Sequence, residues 1–144
     1  MYKNILIAYD GSADGRAALA EGVEIALSSK AVVTLVAVID INVDVAAAEA
    51  YASGTAGEEQ LAETKSLLDE EAARLRQFGL TATTVVDYGR PADQIAEKAR
   101  EIGADLVVIG HRTHGLWARW ANEPVGANLL KHLPCSLLVV PQKR

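Results

Sequence analysis

Several residue types that mark particular protein classes are scarce in this sequence. Cys135 is the only cysteine, which excludes an internal disulfide and argues against a cysteine-based metal or redox framework. The apolar run that follows the first four residues is five residues long, too short for the core of a signal peptide and far short of a membrane span. We therefore expect a cytoplasmic protein that is not embedded in a membrane.

Positive charge is scarce as well. The chain has 14 Lys and Arg against 19 Asp and Glu, a formal net charge of −5, and no cluster of basic residues broken by aromatics. Nucleic-acid binding needs a basic surface of that kind. Nucleic acid is therefore excluded as the main partner, and the acidity mostly indicates solubility.

What the sequence does contain is a regular alternation of strand-like and helix-like segments. Half of the 144 residues are apolar, enough for one compact core, so we predict a single domain over residues 1–144. Nearly continuous apolar runs of strand length are typical of strands that are covered on both faces. The predicted strands span residues 5–9, 32–39, 81–86, 106–109 and 136–140.

Four helical patterns separate these strands. Ser12 suits the N-cap of the first helix, which ends near residues 28–29, and the second helix begins near Glu58 and ends before residues 78–79. Pro91 suits the first turn of the third helix, and the fourth spans residues 125–133. The inward residues predicted for the first helix are Ala17, Leu19, Ala20, Val23, Ile25, Ala26 and Leu27. This order predicts an α/β fold, a doubly wound five-stranded parallel sheet with helices on both faces.

Residues 40–57 form the one long stretch without a clear pattern, and its end is rich in Gly, Ser and Thr. Long loops in compact domains are often functional, so the segment is a candidate flap over a site. A short helix at residues 45–51 with a flexible tail explains the same composition equally well.

A ligand site is expected where the first and fourth strands end. In open parallel sheets, ligands bind beyond the carboxyl ends of the strands, at the point where strand order reverses. Asp10 follows the first strand, where its carboxylate can accept hydrogen bonds from a ribose or instead form a turn that caps the next helix. Gly110 ends the fourth strand and allows close approach of a ligand or merely a tight turn. Both interpretations stay open for each residue.

Three stretches of the chain together resemble the universal stress protein family. They are residues 2–12, residues 89–110 and residues 125–141, and their order and spacing are more specific than any single piece. The resemblance implies a Rossmann-like sheet with strand order 3-2-1-4-5, so the reversal point falls between the first and fourth strands. It also implies a stress-response sensor or interaction module.

Members of the family that bind ATP share a signature of Gly, two residues, Gly, nine residues, then Gly followed by Ser or Thr. Gly110 matches the first glycine, Thr113 replaces the second, and Glu123 and Pro124 replace the last pair. Glycines let backbone N–H groups approach phosphates, whereas Glu123 adds negative charge and Pro124 removes a donor and the hydroxyl. We therefore expect that tight ATP binding is lost.

The resemblance leaves the adenosine side of the pocket better preserved. It implies that Ala8 and Asp10 meet adenine and ribose, that Val38 meets the base, and that Ile109 forms the floor. Ala8, Val38 and Ile109 are also ordinary buried strand residues. The alternative function is therefore an adenine-nucleotide-binding member, for ATP, ADP or AMP, with at most slow ATP hydrolysis. The candidate nucleotide-binding residues are Ala8, Tyr9, Asp10, Val38, Ile109, Gly110, Arg112, Thr113, Glu123, Pro124 and Val125.

Charged residues after the fourth strand have two interpretations. Arg112 can contact a phosphate or another acidic group, or it can form a surface salt bridge with Glu123, as can Arg119. His111 and His114 are three residues apart, and no Cys or carboxylate is spaced to complete a metal site, so no metal is expected.

Other polar and aromatic residues give no sign of catalysis. No nucleophile-elbow motif is present, and His132 has no acidic partner nearby in sequence. Cys135 is expected to be a buried, unreactive thiol. Leu116, Trp117 and Trp120 mark either an interface or lid, or the packing of a short helix. We therefore predict no catalytic residues.

The last predicted strand lies at an edge of the sheet in the implied order. An apolar edge strand is a liability unless another strand pairs with it. Antiparallel pairing of two copies predicts a homodimer, as is usual in the family. The alternative is that residues 142–144 shield the edge. The predicted interface residues are Ser136, Leu137, Leu138, Val139 and Val140.

Overall fold

A computed structural model describes residues 1–39, 55–111 and 130–141. Its sheet has five strands in the order β3-β2-β1-β4-β5, and every neighbouring pair is parallel, which confirms the predicted α/β fold and topology. Residues 130–132 are helical as well. The elements are β1 (Asn4–Ala8), α1 (Ala13–Ser29), β2 (Val32–Ile39), α2 (Thr55–Gln77), β3 (Ala82–Tyr88), α3 (Pro91–Ile102), β4 (Leu106–His111) and β5 (Ser136–Pro141).

The core consists of two apolar layers, one on each face of the sheet. Alternate strand residues point to opposite faces, so Ile5 and Ile7 pack with α1 and α2, whereas Leu6 and Ala8 pack with α3. Both layers contain fully buried side chains from the central strands. This two-sided burial explains why those strands are apolar without alternation.

Short-range signals set the helix ends as predicted. The Ser12 hydroxyl accepts a hydrogen bond from the Gly15 N–H at 3.1 Å and caps α1, while Pro91 occupies the first turn of α3. Gly103 ends α3 in the left-handed conformation. Lys30 ends α1 in the same conformation, with a φ of 56°, which is unfavourable for a residue with a Cβ.

The start of the chain is joined to the turn between α3 and β4. The Asp105 carboxylate accepts hydrogen bonds from the N–H groups of Lys3 and Asn4, at 2.8 and 3.1 Å. The Asn4 side chain donates to the Ile102 carbonyl at 2.6 Å. These contacts align β1 with β4, the two strands whose ends form the candidate site.

The outer edge of β3 is covered by α2. The Thr81 carbonyl accepts from the Val33 N–H, so the next carbonyl, that of Ala82, points away from β2. The Arg76 guanidinium donates to it twice, from Nε at 3.2 Å and Nη2 at 2.7 Å. The Thr84 hydroxyl on the same strand donates to the Asp69 carboxylate at 3.2 Å.

Several predicted boundaries need correction. The second helix begins at Thr55 instead of near Glu58, so the last part of residues 40–57 is helical. The first strand ends at Ala8, one residue early, and the third extends to Tyr88. The possible helix at 45–51 and most of the fourth helix, 125–129, lie outside the described residues.

Two residues of the predicted inward face of α1 are also misplaced. Ala20 and Leu27 are exposed, because the helix packs on the sheet through a narrower stripe that includes Ala18 and Ala26.

Candidate functional site

The candidate site lies at the switch point, where β1 ends between β2 and β4. In the parallel register Ala8 is opposite Val36, and Ile7 is opposite Val108. Ala8, Val38 and Ile109 belong to one apolar cluster on the face that α3 covers. Ala8 and Ile109 are buried, while Val38 is partly accessible. The structure therefore places these three predicted residues in one apolar cluster, of which Val38 is the partly accessible member.

Tyr9 lies on the opposite face of the sheet. Its backbone N–H continues the pairing of β1 by donating to the Val36 carbonyl at 2.9 Å. Its side chain is buried in the layer formed by α1 and α2. Tyr9 thus contributes to the core behind the site, and its side chain does not share the surface of Ala8.

Asp10 is exposed at the end of β1, and a turn fixes its carboxylate. Oδ1 accepts a hydrogen bond from the Ser12 N–H at 3.0 Å, two residues ahead. This is the turn-forming role that the sequence left open for Asp10. Because the turn holds the carboxylate in one orientation, it also presents a fixed acceptor at the switch point.

Gly15 supports this turn and was missed by reasoning from the sequence. A Cβ at this position would lie 3.1 Å from Asp10 Oδ1, 3.2 Å from the Tyr9 ring and 3.3 Å from the Ser12 hydroxyl. A side chain here would displace the carboxylate or the cap. A sequence signal for this role exists, since glycine is unfavourable within a helix and Gly15 lies in the first turn of α1.

Gly110 is buried and paired within the sheet, opposite Val140 of β5. The other residues predicted for the phosphate side lie outside the described part of the chain: Arg112, Thr113, Glu123, Pro124 and Val125. The same holds for His114, Leu116, Trp117, Arg119 and Trp120. Of the predicted site, the structure therefore describes the nucleoside half.

Titratable groups elsewhere give no second site. Within residues 1–39, 55–111 and 130–141, no three His, Cys, Asp or Glu side chains are grouped as metal ligands would be. His132 is exposed, and its carbonyl accepts from Arg100. At the β3 edge, a hydrogen bond of 2.9 Å to Glu101 is the main reason that the pKa of Lys98 is raised, with Asp87 adding to it at 3.9 Å. This cluster is separated from β1 by β2.

Cys135 is half-buried, which corrects the expectation of a buried thiol. Burial is nevertheless the main cause that raises the pKa of its thiol, and the nearby negative charge of Asp105 raises it further. A raised pKa keeps the thiol neutral near pH 7 and lowers its reactivity.

None of the described helices is long and apolar enough to cross a bilayer.

Comparison with known proteins agrees with this architecture. The model of the universal stress protein family matches residues 1–141. A curated relative from Staphylococcus epidermidis is named as a putative universal stress protein. Aligned over 150 residues, the two sequences are 35% identical, and the alignment covers 96% of this chain and 84% of the relative.

Solved structures show the same fold. The universal stress protein UspA from Lactobacillus plantarum has a TM-score of 0.78 at 24% identity, with 96% of this chain and 97% of that chain covered. A universal stress protein in complex with cAMP has a TM-score of 0.70 at 22% identity, with 99% of each chain covered. An Arabidopsis thaliana family member with AMP bound has a TM-score of 0.66 at 16% identity, with 98% and 92% covered.

Proposed function

Because the chain belongs to the universal stress protein family, we propose that it is a cytoplasmic stress-response sensor and interaction module that does not bind ATP tightly. One consideration supports this above others: the residues that the family resemblance assigns to the nucleoside side are kept, while the phosphate signature is changed in sequence. Ala8, Val38 and Ile109 lie in one apolar cluster, and the Asp10 carboxylate that follows β1 is held by the Ser12 N–H. In the sequence, Thr113 and Glu123 occupy the positions where the signature has its second and third glycines.

Charge and donor chemistry explain the expected loss of ATP affinity. A triphosphate needs several backbone N–H donors and surrounding positive charge. Pro124 has no N–H, and the Glu123 carboxylate repels the phosphates. A protein that does not bind the triphosphate cannot hydrolyse ATP, and we propose that this protein does not turn over a substrate.

The second candidate is an adenine-nucleotide-binding member with at most slow ATP hydrolysis. The described relatives bound to cAMP and AMP favour it, since both ligands are adenine nucleotides with a single phosphate group. A ligand with one phosphate group needs fewer N–H donors and less positive charge from the altered phosphate side than ATP does. In this case Arg112 is the residue that we expect to contact the phosphate.

Calorimetric titration separates the two candidates. ATP, ADP and AMP are titrated up to about 1 mM, where an interaction of about −4 kcal/mol is half-saturated. We expect no saturable binding of ATP, and any binding of AMP to be at least as strong as that of ATP. Clear saturation by ATP below this range contradicts our preferred function. Gly15→Ala serves as a site-specific variant, since its Cβ would lie 3.1 Å from Asp10 Oδ1. We expect it to weaken a nucleotide that binds beside Asp10.

Restoring the signature tests its role directly. The triple variant Thr113→Gly, Glu123→Gly and Pro124→Ser should gain ATP affinity by at least about tenfold, or about 1.4 kcal/mol. If the triple variant binds ATP no better than the original chain, those three residues are not what limits binding.

We also propose that two copies pair through their β5 strands. β5 lies at the edge of the sheet, and Leu137, Leu138 and Val139 are only partly covered by the chain itself. Antiparallel pairing about a two-fold axis would satisfy the open main-chain groups of both strands. Light scattering coupled to size-exclusion chromatography tests this, and a strictly monomeric mass at about 100 μM contradicts it.

A further inference from the structure

Asp87 lies beside Val38 at the carboxyl end of the sheet. The two residues are opposite each other in the parallel register of β2 and β3, and neighbouring strands are about 4.8 Å apart. Val38 is the partly accessible member of the apolar cluster, and Asp87 is partly accessible as well. Although β2 separates Asp87 from β1, Val38 is itself a residue of β2. A molecule that covers Val38 is therefore close to the Asp87 carboxylate.

The Asp87 side chain is on the same face of the sheet as Val38. Alternate residues of a strand share a face, and Val85, two residues earlier, packs against the cluster that α3 covers. Contact with α3 agrees with this, since Oδ2 of Asp87 lies 3.9 Å from Nζ of Lys98. The carboxylate thus lies on the face where the family resemblance places the base.

The described part of the chain supplies no hydrogen-bond donor to Asp87. Its side chain is only 25% exposed, yet no group in residues 1–39, 55–111 and 130–141 donates a hydrogen bond to it. The Lys98 ammonium donates to Glu101 at 2.9 Å instead, and its distance of 3.9 Å from Asp87 is too long for a hydrogen bond. Because a largely covered carboxylate is stabilised by a donor, this position favours a ligand group that carries an N–H.

The chemistry of a carboxylate selects between purine bases. An ionised carboxylate accepts hydrogen bonds and donates none. At position 6 adenine has an amino group, which donates, whereas guanine and hypoxanthine have a carbonyl oxygen, which accepts. A carboxylate at the edge of the base therefore favours the amino group and disfavours the carbonyl group.

We propose that Asp87 determines base specificity at this site, so that adenine is bound in preference to a purine with a carbonyl group at position 6. The inference rests on the proposed use of the apolar cluster by a nucleoside. It adds a residue of β3 to a site that the resemblance builds from β1, β2 and β4. It does not depend on the altered phosphate side, because it concerns the base alone.

Adenosine and inosine test the inference with the full chain. They differ in the amino or carbonyl group at position 6, and neither has a phosphate group, so the changed signature plays no part. Binding is followed by two-dimensional NMR titration, which detects weak ligands. We expect adenosine to bind at least about tenfold more tightly than inosine, a ratio that one hydrogen bond to a charged group supplies.

Two variants of Asp87 separate the hydrogen bond from the fold. Asp87→Asn offers a donor as well as an acceptor, so the ratio of the two affinities should fall to about one, mainly because inosine binds more tightly. Asp87→Val has no polar atom and keeps the β-branched shape that strands favour, so adenosine should bind at least about tenfold more weakly. Melting temperatures show that both variants are folded.

Glu97→Gln is the matched control for the loss of charge. Glu97 is exposed on α3, next to Lys98 in sequence, and the substitution removes one negative charge as Asp87→Asn does. The preference for adenosine should remain that of the original chain. If Glu97→Gln abolishes the preference as well, overall charge is responsible and the role of Asp87 is overturned.

Other outcomes also overturn the inference, and they separate it from the proposed function. Equal binding of adenosine and inosine by the original chain overturns the role of Asp87 and leaves the nucleoside site in place. If neither nucleoside binds, the inference fails together with the nucleotide-binding candidate, whereas the sensor role that we prefer is unaffected. A folded Asp87→Asn or Asp87→Val variant with the original preference shows that another residue selects the base.

Discussion

The two edge strands of the sheet differ in the side-chain hydrogen bonds that they receive. At the β3 edge, Arg76 donates twice to the outward-pointing Ala82 carbonyl, and Asp69 accepts from Thr84. At the β5 edge, no side chain among the described residues donates to the strand's main chain, and Leu137 and Leu138 are only partly covered. Among the described residues, side chains of the protomer itself contact the β3 edge, whereas none donates to the main chain of β5.

This difference shows that edge protection is local and depends on particular contacts. Sheet edges pair readily with other chains unless charges or covering elements prevent it. α2 supplies such charges to β3, because its last turns run beside that strand. A second copy is therefore expected at the β5 edge. A charge introduced at β5 should weaken self-association, whereas loss of the protecting contacts at β3 should strengthen it.

The largest effect is expected at β5. Leu138→Lys should raise the dissociation constant of the proposed dimer at least about a hundredfold, close to 3 kcal/mol, because each dimer would bring two charges into an apolar pairing. Sedimentation equilibrium measures the change. Thr84→Lys on the β3 edge is the matched control, and we expect it to leave the association state unchanged. Equal association by both variants and the original chain would falsify the β5 interface.

The next effect is expected at β3. Arg76→Ala leaves the Ala82 carbonyl without its donors, so the free energy of unfolding in urea should fall by about 1 kcal/mol, reduced from the full value because the arginine is exposed. The opened edge should also begin to self-associate at high concentration. Arg76→Lys, which keeps one donor, should lose less. A variant that stays as stable and as monodisperse as the original chain argues against edge protection by Arg76.

A smaller effect is expected for the second contact on that edge. In a double-mutant cycle with Thr84→Ala and Asp69→Ala, the coupling free energy should be about 0.5 kcal/mol, the usual net value of a partly exposed hydrogen bond. The cycle cancels the change in helix propensity at Asp69. A coupling of zero would assign the protection of β3 to Arg76 alone.

The smallest effect concerns pH at the base of β5. Because burial and Asp105 raise the pKa of the Cys135 thiol, its alkylation rate should rise with a midpoint above the ordinary thiol pKa. Because the folded protein favours the neutral thiol, Cys135 contributes to the free energy of unfolding. This contribution is complete below the ordinary thiol pKa and is lost as the pH rises through the raised pKa of the folded protein. Asp105→Asn should lower the midpoint. Rates of iodoacetamide labelling between pH 7 and 11 measure it, and a midpoint at or below the ordinary value contradicts the assignment.

Much of the fold could be predicted because short-range signals and burial agree. The strands at residues 32–39 and 136–140 were placed within one residue of the observed bounds, since continuous apolar runs have few other solutions in a chain of this size. The start of α2 was missed. Thr55 and Gly57 have low helix propensity, yet the helix includes them and Gly57 is buried, so tertiary packing overrides the local preference.

For the candidate site, the sequence predicted which strand ends lie together but not the contacts between their residues. The predicted strand order placed the ends of β1 and β4 side by side, and the observed order confirms that the two strands are neighbours. The turn contact between Asp10 and the Ser12 N–H depends on backbone angles that composition does not specify. The exposure of Phe78 could not be inferred either, because its position just after α2 follows from the left-handed turn at Gly79.

The contacts between Asp105 and the start of the chain also have a consequence for synthesis, because they form only after most of the chain has been made. They join residues 102 and 101 positions apart, so β1 has a neighbour on only one side until β4 has left the ribosome. At about 5–20 residues per second, that interval lasts roughly 5–20 s. During it β1, a central strand in which Ile5, Leu6 and Ile7 are fully buried in the folded protein, has an open flank. A chaperone that binds apolar nascent segments would therefore find its target at residues 5–9.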